Sequence, residues 1–400
     1  METKMSEYRL RSGIFLPPFH SNKENPALAL QRDLKLMECL DELGFDEAWI
    51  GEHHSGGFEL ISSPELFIAA AAERTKRIKF GTGVISLSYH HPFNVANRIV
   101  QLDNMTMGRV MFGAGPGLLY LDAKMMGIDV ENTRGRLVEA LEVVMALFRG
   151  ETVTRKTDWF ELDEAVLHVR PYSHPYPEVV VVSSKTPSGG RLAGKYGIGM
   201  ICVAASQTEG FNALAENWAL ANEVAEANGH TMDRSKLRLV APIHIAETRD
   251  KAYENVKFGL EDWLDYSFTT NPGKRERAKG MTPVEVVSKS RGGVIGTPDD
   301  AIALIERLRE QQGDFGCFLQ LAHNWADWEA TKKSYELYAR YVIPHINKTN
   351  QSRANSLDRY RDMGEKITTA QNSATMNMFR KHNAERESAG KSTINVVGLE

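Results

Sequence analysis

Cysteine is scarce in this chain, with 3 in 400 residues. Cys39, Cys202 and Cys317 lie far apart, each inside an apolar helix or strand pattern. That spacing excludes a disulfide scaffold and any Cys-x-x-Cys module, and fits buried free thiols in a reducing compartment. A basic excess is missing too: 48 Lys and Arg face 52 Asp and Glu, a net charge of −4, so the positive field that nucleic-acid binding needs is not there. No apolar run approaches the ~20 residues needed to span a bilayer, and residues 1–11 hold no signal-peptide core. The expectation is a cytoplasmic protein with no membrane and no nucleic-acid partner. Without a nucleophile elbow or a phosphate-binding lysine loop, the common hydrolase and kinase chemistries also drop out.

What is present is an ordinary soluble composition, 42% apolar and 25% charged, enough for a large core. Short β-rich runs at 13–16, 46–51, 78–87, 110–113, 179–183, 199–204, 239–246 and 317–321 alternate with amphipathic helical patterns at 27–43, 64–74, 93–104, 136–148, 188–195, 210–227, 250–263 and 298–312. Such alternation demands a parallel sheet with right-handed crossovers, and eight units closing on themselves give an α/β fold of the (β/α)8 TIM-barrel type. A doubly wound open sheet is the alternative. Three segments depart from the pattern. Residues 151–172 alternate around Trp159, Phe160 and Leu162 and read as an inserted hairpin. Residues 266–293, with Asn271-Pro272-Gly273 and the cations Lys274, Arg275, Arg277 and Lys279, read as a long loop after the seventh strand, either a lid or a solvated excursion. The barrel is therefore assigned to 1–346, and the polar tail 347–400 to an extension that either braces a dimer or is partly disordered.

Residues 46–54 end a buried strand in Glu52, His53 and His54. Strand carboxyl ends are where parallel α/β folds hold their active sites, and titratable groups at that depth need partners or water. Adjacent residues on an extended strand point to opposite faces, so His53 and His54 do not share one ion; with no His-x-His pair on the first strand, no metal is expected. Tyr89-His90-His91 is the other histidine cluster, with His91 placed to cap or pack at a helix start. Gly81-Thr-Gly-Val84 and Gly113-Ala-Gly-Pro-Gly117 end two neighbouring strands with little bulk, leaving a slot for a planar cofactor or simply two tight turns. Ser184, Thr186, Ser188, Gly189 and Gly190 open a helix, either as a phosphate site made of free amides and hydroxyls or as an ordinary cap. Arg134 and Arg136 oppose the dipole at another helix start and call for a compensating anion. Phe15, Phe19, Phe58 and Leu60 near the rim offer a pocket for a small apolar substrate, although a barrel interior needs such residues in any case.

Together Glu52-His53-His54, Gly81-Thr82-Gly83-Val84, His91-Pro92, Gly108-Arg109-Val110 and Gly296-Thr297-Pro298 resemble the bacterial luciferase-like flavin monooxygenases, in order and spacing, from about residue 11 to 346. The wording at Phe15-Leu-Pro-Pro-Phe-His20, Glu24-Asn25-Pro26, residues 46–54 and Thr154-Arg-Lys-Thr-Asp-Trp-Phe160 resembles the limonene 1,2-monooxygenase-like subgroup. The resemblance implies a (β/α)8 barrel using reduced FMN delivered by a separate flavin reductase that draws on NAD(P)H. It also implies O2 as co-substrate, a lid after the seventh strand, and a homodimer.

By position, His53 matches the family's catalytic histidine, with Glu52 placed to orient it. Gly83-Val84 matches a non-prolyl cis peptide beneath the flavin, with Ala114 and Gly115 on the neighbouring strand end. Anchored on Gly127-x-Asp129, Arg134 matches the phosphate arginine; anchored on Glu139, Arg136 competes. The chain departs from luciferase at Gly115, where a reactive cysteine stands, at the neighbouring Pro116, and at Lys185-Thr186 in the phosphate segment, so light emission is not expected.

The implied chemistry is oxygenation by a flavin C4a-hydroperoxide sheltered from water. An oxidant that keeps its proton epoxidises an alkene, and one that loses it attacks a carbonyl. An imidazole with an ordinary pKa of ~6.5 at His53 would hold or pass that proton near neutral pH. The rival readings are an alkanal or Baeyer–Villiger type aldehyde or ketone oxygenase, a deazaflavin-dependent oxidoreductase, and a flavin-binding protein without turnover.

Overall fold

The structure, a computed structural model, describes residues 9–17, 19–272, 275–276, 278–290 and 292–395. Pro18, within the motif at 15–20, and Gly273, Lys274 and Arg277 of the expected lid lie outside the described residues. Eight strands form the framework: β1 (Arg11–Leu16), β2 (Glu47–Ile50), β3 (Lys79–Thr82), β4 (Val110–Gly115), β5 (Glu178–Ser183), β6 (Gly199–Cys202), β7 (Leu237–Ile245) and β8 (Cys317–Leu321). Each pairs in parallel with the next, and β8 returns to β1 with Arg11 opposite Cys317, so the sheet closes into a barrel as expected.

Local sequence explains the helices that connect the strands. The first, Pro26–Leu43, starts where the Asn25 side chain accepts from the amides of Ala27 and Leu28, and ends at Gly44 in the left-handed conformation. The helix Pro298–Gln312 opens on a capping box between Thr297 and Asp300. The helices cover the barrel through one large apolar layer that includes Ile14, Ala48, Phe80, Phe112 and Phe318.

The barrel interior is filled by Trp49, Met111, Val180, Ile201, Val240, Cys317 and Leu319. Here the sequence reading of two bare strands is corrected. A Cβ on Gly81 would fall within the Trp49 indole, and one on Gly113 would meet the Thr82 carbonyl and the same indole. These glycines make room for a tryptophan inside the barrel.

Below Trp49, at the amino-terminal ends of the strands, Arg238 is fully buried. It donates to Glu47 at 2.7 and 3.1 Å and to Glu178 at 2.8 Å, with its guanidinium 4.8 Å from the Trp49 ring centre. Arg11 and the Trp49 Nε1 donate to the same Glu47 at 2.7 and 2.8 Å. Burial alone would raise the Glu47 carboxyl, but Arg238 and Arg11 hold it down at about 2.

Three expectations need correction. The run at 78–87 is not one strand: after β3 the Gly83–Val84 peptide is cis, a short strand Ile85–Ser86 pairs with Ala114 and Gly115, and a 3-10 turn spans Leu87–Tyr89. The helix at 250–263 is two helices, Arg249–Val256 and Leu260–Thr270. They part at Gly259, which sits so close to the Asn324 carbonyl that a Cβ does not fit. The supposed loop at 266–293 begins inside the second of these helices and ends in the helical turns Pro283–Glu285 and Val286–Ser290. An extra strand, Val294–Gly296, then pairs with the end of β7. Strands Val153–Lys156 and Glu161–Ala165 pair antiparallel, the inserted hairpin.

Residues 347–400 are a second compact unit, whose described part holds two helices, Gln351–Asp362 and Gly364–Ser388, with no buried residue. All three cysteines are free, and Cys39 is half-buried where full burial was expected. Among the described residues no helix is long and apolar enough to cross a membrane.

Glu47→Gln leaves the Arg238 guanidinium buried with only Glu178 for charge. Loss of one partner from a buried pair costs about 3–5 kcal/mol, so urea unfolding should show an unfolding free energy lowered by that amount. A change below about 1 kcal/mol would remove the cluster's structural role.

Candidate active site

At the carboxyl end of the barrel β2 hands the chain to Glu52, and the two residues after it turn to different partners. Buried Glu52 accepts from His54 Nε2 at 2.8 Å and His90 Nε2 at 2.6 Å on one oxygen, and from the Ser86 amide at 2.7 Å on the other. Burial would raise its carboxyl, yet the hydrogen bonds from His54 and His90 hold it at about 2. The sequence reading gave Glu52 the task of orienting His53. The structure corrects this: Glu52 ties the loop after β2 to the loop after β3 and makes no bond to His53. The donor atoms of Glu52, His54 and His90 lie within 4.8 Å of one another. Both imidazoles direct Nε2 at a single carboxylate oxygen, an arrangement that satisfies all three groups without an ion.

His53 has a different shell. Its Nδ1 is 3.4 Å from Asp122 Oδ2, and its Nε2 is 2.9 Å from Glu59 Oε2, close enough for an ion pair although out of line for a hydrogen bond. Asp122, in the helix Tyr120–Met125, also accepts from Ser55 Oγ. Burial pulls the His53 imidazole down, but Glu59 and Asp122 outweigh it and raise its pKa to about 10. Asp122 is correspondingly lowered: its burial is overcome by the bonds from His53 and Ser55. An imidazole titrating near neutrality was the expectation; the structure places the His53 ring between two carboxylates, which favour its charged form. Glu59 in turn accepts from the Tyr266 hydroxyl at 2.7 Å.

The other expected residues divide. Val84, after the cis peptide, is partly exposed at the mouth, while Gly83 is buried against the Trp49 and Ile50 backbone. Gly115 is covered by Val84 and Val182, and Ala114 is fully buried in the helix-facing layer. Both are therefore corrected as exposed surfaces, and at this rim Val84 is the partly exposed one of the four.

On the phosphate segment, the helix Ser188–Tyr196 starts at Pro187 with no side-chain cap. Thr186 and Ser188 hydroxyls are exposed, 3.0 Å from each other, so the ordinary-cap reading fails. The first intrahelical bond runs from the Arg191 amide to the Pro187 carbonyl at 3.0 Å, leaving the amides of Ser188, Gly189 and Gly190 ahead of it. Gly189 and Gly190 pack so closely on the Val182 and Asn217 carbonyls that a Cβ does not fit. Ser184 offers its carbonyl to Asn217, and Lys185 is paired with Glu209. The structure also separates the two arginines. Arg136 lies 5.1 Å from the Trp159 ring centre, while Arg134 is exposed and has no ion pair or hydrogen bond among the described residues.

Phe19 and Phe58 share a cavity of about 330 Å³ with Phe258 and Trp263. Phe15 packs instead against the barrel interior, and Leu60 is not part of the cavity wall. His91 is a packing residue, edge-on to Phe160 and not capping its helix.

A profile of the luciferase-like monooxygenases matches residues 10–314. The chain belongs to that family. It is 46% identical over 339 residues to limonene 1,2-monooxygenase of Rhodococcus erythropolis, covering 85% of this chain and 87% of that one. It is 42% identical over 347 residues to 4-hydroxyprotoasukamycin monooxygenase of Streptomyces nodosus subsp. asukaensis, with coverage of 85% and 93%. Among solved structures, the oxygenating constituent of 3,6-diketocamphane monooxygenase from Pseudomonas putida, a type II Baeyer–Villiger monooxygenase in complex with FMN, superposes with a TM-score of 0.71 at 26% identity, covering 84% of this chain and 98% of that one.

The two shifted groups set a pH window. Glu52, held at about 2 against an ordinary value of 4.5, adds stability above pH 4.5 that is lost as pH falls towards 2. His53, held at about 10 against 6.5, adds stability below pH 6.5 that is lost as pH rises through 10. Thermal melts across pH should therefore show His53→Gln flattening the alkaline fall and Glu52→Gln the acid fall. An alkaline limb identical in wild type and His53→Gln would contradict the ion-pair geometry.

Proposed function

We propose that this chain is the oxygenase component of a two-component flavin-dependent monooxygenase, taking reduced FMN from a separate NAD(P)H-dependent flavin reductase and acting on a small apolar substrate, with terpene epoxidation as the leading reaction. The observation that carries the reading is the placement of His53 between the carboxylates of Glu59 and Asp122 at the carboxyl end of a luciferase-like barrel.

Reduced FMN, when bound, supplies the two electrons that let one atom of O2 enter the substrate while the other leaves as water. Its phosphate would be held by the free amides of Ser188, Gly189 and Gly190, the hydroxyls of Thr186 and Ser188, and the unpaired Arg134. Val84 would support the ring. The uncapped helix start suits that group.

With its pKa raised above neutrality, His53 carries protons on both Nδ1 and Nε2 at pH 7 and is an acid. An acid at this position favours electrophilic oxygen delivery to an alkene over attack on a carbonyl. Limonene is the substrate named for a relative at 46% identity, and Phe19 and Phe58 offer apolar surface near His53, although the cavity they line also carries Lys23, Glu24, Arg32 and Asp262. The Baeyer–Villiger name of the FMN-bound relative favours a second reading, a ketone oxygenase on the same cofactor. The chain is proposed to act as a cytoplasmic homodimer, with the reductase meeting it transiently.

The test is turnover with FMN, a flavin reductase, NADH and labelled dioxygen against a terpene, an aldehyde and a ketone, read by mass spectrometry. Label in a terpene epoxide is the expected result; label only in an ester would select the second reading. No labelled product, together with a reaction that needs reduced deazaflavin, would end the oxygenase assignment. His53→Ala should keep FMN affinity while product falls about 100-fold or more and hydrogen peroxide rises. Arg134→Ala should weaken FMN binding about tenfold, as expected for loss of one charged contact, with a smaller effect at Arg136→Ala.

A further inference from the structure

In sequence Tyr266 is the first residue of the segment 266–293 that reads as a lid or a solvated loop. It belongs to the helix Leu260–Thr270, more than two hundred residues beyond His53, yet its hydroxyl ends on Glu59 Oε1 at 2.7 Å. Its ring is stacked on Phe58 at 4.9 Å and set edge-on to Phe19 at 5.5 Å. Beneath it Gly56 adopts a φ of +83°, and a Cβ there would stand 3.0 Å from the Tyr266 ring. The loop after β2 is shaped to receive this side chain.

Glu59 is the junction. It is buried, one oxygen accepts from Tyr266, and the other, which accepts no hydrogen bond, lies 2.9 Å from His53 Nε2. A buried carboxylate with one oxygen fixed by a tyrosine and the other within ion-pair distance of an imidazole is a positioning group.

We propose that Glu59, locked by Tyr266, is the positioning residue that keeps His53 protonated and aimed, so that seating the helix Leu260–Thr270 sets the proton available at the active site. This rests on the reading of His53 as the acid of an oxygenase. The groups that face His53 are Glu59 and Asp122, with His54 beside it, Tyr89 facing Asp122, and Tyr266 behind Glu59. Of these, Asp122 is held by Ser55, on the same loop as His53, whereas Glu59 is held by the helix from the far side of the chain. Only the Glu59 arm therefore depends on where that helix sits.

The test is a pH titration of the His53 ring by NMR on the full-length, histidine-labelled chain, assigned with His53→Gln, with no flavin or substrate required. Glu59→Gln keeps the shape and an acceptor for Tyr266 but removes the charge, so the His53 midpoint should fall by at least one pH unit, a tenfold weaker hold on the proton. Tyr266→Phe should lower it by less. The double variant should match Glu59→Gln alone, because Tyr266 acts through Glu59. In turnover, the alkaline limb of kcat should move with the NMR midpoint while KM for the substrate stays within twofold. Additive effects in the double variant, or an unmoved midpoint in either folded single variant, would overturn the proposal. A wild type that makes no oxygenated product but shows these shifts would instead retire the oxygenase reading and leave the relay standing.

Discussion

The barrel depends on one buried charge pair. Arg238 and Glu47, with Arg11 and Glu178 at their flanks, join β1, β2, β5 and β7 at the amino-terminal end, and the Trp49 indole lies directly on the guanidinium. Desolvating two charges is unfavourable, and their attraction offsets it only where every donor and lone pair is used. Here Glu47 accepts from three side chains, so the floor is satisfied as a unit. A tryptophan seated on that floor needs space inside the barrel, which Gly81 and Gly113 supply. The interior is thus a packed core with no room for a ligand, and chemistry is pushed to the opposite rim.

At that rim two neighbouring histidines enter electrostatic environments of opposite design. His54 shares one carboxylate with His90, a two-to-one arrangement in which Glu52 is the common acceptor and two loops are fastened together. His53 has two carboxylates to itself, a one-to-two arrangement that stabilises its charged form despite burial. Both residues lie beyond the end of β2, and the difference between the two rings follows from which acids wait on either side. The Glu52 cluster gives rigidity, and the Glu59–His53–Asp122 cluster gives a retained proton.

The fold was legible because its signals are local and repeated. Eight β-rich runs alternate with 3.6-residue periodicity, and every predicted barrel strand overlaps an observed one. The site was legible as a place, since Glu52-His53-His54 ends a buried strand, and was less legible as a set of contacts. Glu59 sits between Phe58 and Leu60 in a segment that reads as ordinary strand-like alternation, and Asp122 sits in the first turn of a six-residue helix with no distinctive spacing. Neither carries a motif, and both matter only because tertiary structure brings them to one imidazole. The same limit explains the misread glycines: a missing side chain in sequence does not say whether a ligand or a tryptophan takes up the room. The helix break at Gly259 was invisible for a similar reason, because its cause, the Asn324 carbonyl, lies in a different βα unit.

The loop after β2 shows how far that tertiary dependence extends. Gly56 and Gly57 both have positive φ, conformations that side chains with a Cβ rarely adopt, and between them and Glu59 stands Phe58, stacked on Tyr266. The Tyr266 side chain makes both the aromatic contacts with Phe19 and Phe58 and the hydrogen bond to Glu59, so apolar packing at this loop and the surroundings of His53 share one residue. One helix face thus touches both the aromatic rings of Phe19 and Phe58 and the carboxylate that neighbours His53.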